Sequence, residues 1–167
     1  MQAIKTNHLI GAYLLAIVVA NLSVAHFGQI ALVFTGLVLI PFDFVTRDLL
    51  HDRWKFRDLY KRIGLLILSG AIITTILNAD AINVAFASVV AFSAGTLCNT
   101  FLYSKMYHLD RVLRMTRSNA VTSVIDSTVF PLLAFGFIDI RITIAQILFK
   151  TAGAYAWALV VRRLRIR

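Results

Sequence analysis

The chain alternates between long apolar stretches and short polar connections. Six apolar runs occupy residues 9–27, 30–45, 63–77, 81–103, 119–137 and 142–161. A helix crossing a hydrocarbon core ~30 Å thick needs roughly 20 residues, with about 17 as a working minimum. The third run is the shortest. All six are too long and too closely spaced for strands, and none shows the in–out alternation of a membrane barrel. The pattern predicts an all-α fold, a single transmembrane domain over residues 1–167 built as a bundle of six membrane-spanning helices. Two of the connections are tight polar turns, at Gly28-Gln29 and at Asn78-Ala79-Asp80.

Composition reinforces the membrane reading. Hydrophobic residues make up 59% of the chain and charged residues 15%, and the mean hydropathy is +0.80. A soluble domain of this length needs more polar surface to cover its core. The single cysteine, Cys98, lies in an apolar run, cannot form an internal disulfide, and reads as a small core residue.

The net charge of +9 comes from 17 Lys and Arg against eight Asp, with no Glu. Such a basic balance can signal nucleic-acid binding, but that needs a basic face on a soluble fold. Here the basic residues sit beside apolar runs, where they set topology and meet anionic lipid. The connection between runs two and three carries Arg47, Arg53, Lys55, Arg57, Lys61 and Arg62. The connection between four and five carries Lys105, Arg111, Arg114 and Arg117, and the tail carries Arg162, Arg163, Arg165 and Arg167. With Lys5, these are all the basic residues except Arg141 and Lys150. Strict alternation of this kind predicts an even number of spans with both termini cytoplasmic. Run one, with Ser23-Val24-Ala25 near its end, also loosely fits a cleaved signal peptide. Removing it would leave five spans and put the basic loops on the wrong side, so it is read as a span.

An ionisable side chain inside a span costs roughly 2.5–3.5 kcal/mol on insertion scales and must face a cavity or a partner. Asp126 in run five and Lys150 in run six lie at matching depth on helices joined by a short connection. They read either as a register-setting ion pair or as part of a binding site. Asn119, Thr122, Ser123 and Asp126 share one helical face, as do Thr143, Gln146 and Lys150. That density of donors and acceptors favours a polar cavity. Asn21 in run one is a further candidate; Asn99 in run four and His26 near the end of run one are weaker ones. Asp43, Arg47 and Asp48 stand at the end of run two, where Asp43 and Arg47 at i, i+4 spacing can pair, either as a gating element or as a salt-bridged helix end. The two prolines, Pro41 and Pro131, fall in runs two and five beside these acids. Those are corresponding positions if the bundle is two inverted halves of three helices. Ala12, Ala16 and Ala20 form a small-residue ridge for close helix contact. No nucleophile elbow, HExxH, phosphate-binding loop or paired Cys/His spacing appears, so no enzyme, metal or cofactor is expected. The segment from His51 to Asp58 reads as a solvated, lipid-facing loop.

These residues carry a resemblance. The chain resembles the VUT family of queuosine precursor transporters, the YhhQ-like proteins, in its short bacterial and phage form. The likeness rests on Ala20-Asn21, Ala25-His26-Phe27-Gly28, Arg47-Asp48-Leu49, Ser118-Asn119, Asp126-Ser127, Phe130, Ala134-Phe135-Gly136 and the Gln146-to-Lys150 pattern. Longer members often carry acidic residues after the Arg-Asp motif; here the chain departs from that pattern, with Asp52 where Glu is expected. The resemblance implies uptake of a 7-deazaguanine through the bacterial inner membrane. The polar residues inside the spans make Asp126, Asn119, Gln146, Lys150, Asn21 and Ser123 the expected substrate-binding set. The expected partners are a deazapurine solute and anionic lipid, with no nucleic acid; homo-oligomeric assembly is compatible. Two alternatives are a substrate-binding subunit of an ATP-driven importer and a structural membrane protein that transports nothing.

Overall fold

A computed structural model describes residues 5–54 and 58–164. Regular structure among them is entirely helical. The helices are α1 (Thr6–Phe27), α2 (Ile30–Leu37), α3 (Leu39–Trp54), α4 (Leu59–Leu77), α5 (Ile82–Lys105), α6 (Arg111–Phe135) and α7 (Ile140–Arg163), with a 3-10 turn at Ala79–Ala81 before α5. Lys55, Arg57, Arg165 and Arg167, which bear on the orientation argument, lie outside the described residues.

Helix ends follow local chemistry more than hydropathy. α6 starts two turns before its apolar run, because Asp110 caps it by accepting from the Val112 amide at 3.1 Å. The basic loop expected between runs four and five therefore shrinks to 106–110, and Arg111, Arg114 and Arg117 become helical. Asp139 caps α7 in the same way, accepting from the Arg141 and Ile142 amides. The turn after α1 is tight because Gly28 adopts φ +64°, a left-handed conformation that glycine takes without a Cβ penalty.

The second apolar run differs from expectation. Instead of one continuous helix it forms two, α2 and α3, bent by 43°. Pro41 is the physical cause. It has no N–H to offer Leu37, and its ring crowds that carbonyl, so α2 stops at Leu37 and the chain restarts at Leu39. Pro131, by contrast, lies inside α6, which continues through it to Phe135.

Among the described residues, four helices are long and apolar enough to cross a membrane: α1, α4, α5 with its preceding turn, and α7. The bent α2–α3 pair makes five if counted as one span. The expected sixth, α6, is too polar to qualify alone, and its pattern shows why. Ser118, Asn119, Thr122, Ser123, Asp126 and Ser127 all point inward, while Val121, Val124, Leu132 and Leu133 are exposed. α6 is inside-out relative to a soluble helix, its polar stripe shielded between α5 and α7, its main neighbours.

α1 packs on α3 and α4, and α7 packs on α2, α3 and α6. Ala16 and Ala20 are buried in this packing, so the small-residue ridge serves contact within the bundle. Two glycines allow close approach. A Cβ at Gly70 would come 2.8 Å from Ile17 Cγ2, and one at Gly153 would come 2.6 Å from Pro41 Cγ and 2.7 Å from the Leu37 carbonyl. Gly153 thereby seats α7 directly against the α2–α3 break.

Candidate functional site

The polar stripe of α6 organises two buried clusters. The first centres on Lys150, whose side chain is 3% exposed. Its Nζ donates to Asp126 Oδ2 at 2.6 Å, to Ser127 Oγ at 2.9 Å and to Gln146 Oε1 at 2.9 Å. Three donors meet three acceptors, which is the full capacity of an ammonium. Gln146 sits one turn before Lys150 on α7, so the i, i+4 spacing produces the last bond, while Asp126 and Ser127 come from α6 across a short connection.

Asp126, Gln146 and Lys150 line a small cavity with Asn21 from α1, Thr35 from α2 and Ser88 from α5; Phe92 and Phe130 supply part of its apolar wall. A water-sized sphere can move its centre through about 20 Å³ of it. By that measure one water needs roughly 10–15 Å³, so the cavity has room for about one water. Two polar atoms of the lining residues have no protein partner: Asp126 Oδ1, an acceptor, and Gln146 Nε2, a donor. Asn21 donates to Thr74 Oγ1 at 3.4 Å.

The second cluster lies further along α6 toward its start. Asn119 donates to Asp48 Oδ2 at 2.7 Å and accepts from Arg47 Nη2 at 2.8 Å. Asp48 Oδ1 also accepts from Asn99 Nδ2 at 2.8 Å. Arg47 lies 3.8 Å from Asp48 and stacks 5.0 Å over the Phe44 ring. The i, i+4 ion pair expected between Asp43 and Arg47 is not formed. Arg47 turns toward α6 instead, where the Asn119 carbonyl and the Asp48 carboxylate converge on one nitrogen. Asp43 is left 1% exposed with Oδ1 unpartnered.

The six residues expected to bind a substrate thus separate. Asp126, Gln146, Lys150 and Asn21 share the cavity. Asn119 belongs to the Asp48 cluster, and Ser123 donates its hydroxyl to the Asn119 backbone carbonyl at 2.7 Å. Sequence reasoning does not single out Ser88 and Thr35 as lining residues or Ser127 as a partner of Lys150. Isolated Ser and Thr in helices satisfy themselves on the preceding turn, as Thr35 does on the Ala31 carbonyl at 2.8 Å, so they carry little signal. Ser127 is detectable through its place beside Asp126.

A third arrangement ties the helix ends. Asp52 on α3 accepts from Tyr103 at 3.1 Å, Arg111 at 3.0 Å and Arg114 at 3.4 Å. Arg114 lies between the Tyr103 and Tyr107 rings, at 4.3 and 4.2 Å. Partial burial raises the Tyr107 phenol above its ordinary pKa, with Asp52 adding to the shift and Arg114 opposing it.

A family model described as "Putative vitamin uptake transporter" matches residues 13–163, from α1 through the last turn of α7. The chain belongs to this vitamin uptake transporter family. No curated protein and no solved structure matches it. Membership, together with four or five helices able to cross a bilayer, makes the chain a multi-pass membrane protein. The family model describes transporters, and a buried polar cavity is the kind of feature a transporter requires.

Proposed function

We propose that this member of the vitamin uptake transporter family is a secondary carrier that imports a purine-like solute, a 7-deazaguanine precursor of queuosine, across a bacterial inner membrane. One observation carries the reading: Asp126 Oδ1 and Gln146 Nε2 are buried, lack protein partners, and belong to residues that line one cavity. The amide edge of a deazaguanine presents two N–H donors beside a carbonyl acceptor. A carboxylate oxygen and a carboxamide N–H answer that edge with complementary polarity. Phe92 and Phe130 provide an apolar wall for the ring, and the bond from Lys150 fixes the orientation of the Asp126 carboxylate.

The cavity has room for about one water, so substrate entry requires expansion. The α2–α3 break supplies a hinge, because α2 contributes Thr35 to the cavity and α3 begins on the other side of the bend. In this reading α6 is the sixth span, shielded by α5 and α7, and both termini are cytoplasmic. The arrangement is 3+3, with broken α2–α3 and proline-bearing α6 in corresponding places. The basic helix ends meet anionic headgroups.

Uptake of radiolabelled 7-deazaguanine by cells lacking their own carrier tests the proposal. The expected result is uptake by the wild type and none by Asp126→Ala. Equal uptake by both removes this site from the mechanism. The reading as a subunit of an ATP-driven importer loses the support of the α1 ridge, since Ala16 and Ala20 are consumed inside the bundle.

A further inference from the structure

The bundle interior has a charge imbalance that the substrate cavity does not absorb. Three carboxylates, Asp43, Asp48 and Asp126, are buried there with two cations, Arg47 and Lys150. Arg114, also buried, is engaged with Asp52 together with Arg111. Lys150 belongs to Asp126 and Arg47 to Asp48. Among the described residues no cation pairs with Asp43, whose Oδ1 has no hydrogen-bond partner. A buried carboxylate without a counter-charge is far costlier than a neutral carboxylic acid, so such groups take up a proton.

We infer that Asp43 carries the exchangeable proton that drives this carrier, a binding site separate from the solute cavity. The groups within electrostatic reach of Asp43 are Tyr13 on α1, Arg47 and Asp48 on its own helix, and Asp126 on α6. Asp126 is neutralised by Lys150, and Asp48 by Arg47, while α2 has no ionisable residue. The protonated form is therefore the one compatible with the closed bundle. Asp43 lies two residues past Pro41, on the first turns of α3 beyond the bend. In the carrier reading the solute cavity opens at that bend, so wetting of Asp43 and opening of the cavity share one hinge. The proton leaves Asp43 to water on the side to which the site opens.

The coupling role rests on the carrier reading; the protonation does not, and two measurements keep them apart. The first is infrared difference spectroscopy of the full-length protein in liposomes, following the carboxylic acid C=O band. Wild type is expected to show a band that Asp43→Asn removes and Asp43→Glu restores at a shifted position. Absence of the band, or its persistence in Asp43→Asn, overturns the inference whatever the solute. The second uses the same liposomes with radiolabelled 7-deazaguanine. A one-unit inward pH gradient supports about tenfold accumulation per proton carried. Wild type should approach that ratio, and Asp43→Asn should exchange solute across the membrane but accumulate none. Accumulation driven by a sodium gradient, or proton-driven accumulation intact in Asp43→Asn, overturns the coupling. A wild type that exchanges no 7-deazaguanine sinks the substrate assignment and the coupling with it, and the infrared band alone then decides whether Asp43 holds a proton.

Discussion

Lys150 Nζ lies 2.6 Å from Asp126 Oδ2 across the α6–α7 interface, with both side chains almost wholly buried. Removing one partner strands the other charge, at a cost of about 3–5 kcal/mol. Asp126→Ala is therefore expected to lower thermal stability sharply in detergent. The double variant Asp126→Leu with Lys150→Met should regain most of it, because an apolar pair avoids the desolvation term. If the pair also binds solute, the double variant will be stable yet inactive in uptake. A stable and fully active double variant would reduce the pair to architecture.

Asn119 bridges two charged groups at once, donating to Asp48 and accepting from Arg47. Asn119→Ala leaves both with an unmet hydrogen bond, which should cost about 1–3 kcal/mol. Thermal unfolding checks the loss. Asn119→Asp should also be destabilising, since it places a carboxylate against Asp48.

Gly153 and Gly64 make a matched pair of tests. A Cβ at Gly153 meets the Pro41 ring and the Leu37 carbonyl under 3.0 Å, whereas one at Gly64 meets nothing within 4 Å. Gly153→Ala should force α7 off the α2–α3 break, costing about 1–3 kcal/mol as overpacking does, and slow uptake by altering the hinge. Gly64→Ala should be neutral or stabilising by up to about 1 kcal/mol, as expected for alanine in a helix. Equal stability of the two variants would show that the close contact does not matter.

The Asp52 arrangement is partly exposed, with 20% of the Asp52 side chain and 29% of Arg111 accessible. Solvent screening therefore limits Asp52→Asn to under about 1 kcal/mol. Arg114→Ala should cost more, about 2 kcal/mol, because it also loses contact with two tyrosine rings. Raising salt should narrow the Asp52→Asn effect and leave the ring contribution. Stability in low and high salt separates the two.

Orientation is open to direct chemistry. In a Cys98→Ser background, Asp80→Cys should react with a membrane-impermeant maleimide added to intact cells. Lys61→Cys should react only after lysis. The reverse pattern would invert the proposed topology.

Most of the helical plan is readable along the chain, since apolar runs of near-membrane length have few structural solutions. The turns at Gly28 and Asn78 are equally plain. The start of α6 is not, because capping by Asp110 rather than hydropathy sets it, and charged Arg111, Arg114 and Arg117 mask a continuous helix. The depth match between Asp126 and Lys150 follows from their spacing about a short connection. Its outcome, a bond, requires α6 and α7 to pack with those faces together.

Local order in the chain decided what depends on neighbours in sequence: which segments are helical, where Pro41 breaks one, and which face of α6 is polar. Side-chain partnership was beyond it. Arg47 had Asp43 one turn away on its own helix, yet it turned to Asn119, seventy-two residues on, because packing of α3 near α6 brought that carboxamide into reach. In the same way the tertiary arrangement divided the polar stripe of α6 between a cavity and a sealed network, and left Asp43 without an ion-pair contact. Bonds between helices depend on how the helices are rotated against one another, and that rotation is set by the whole bundle at once.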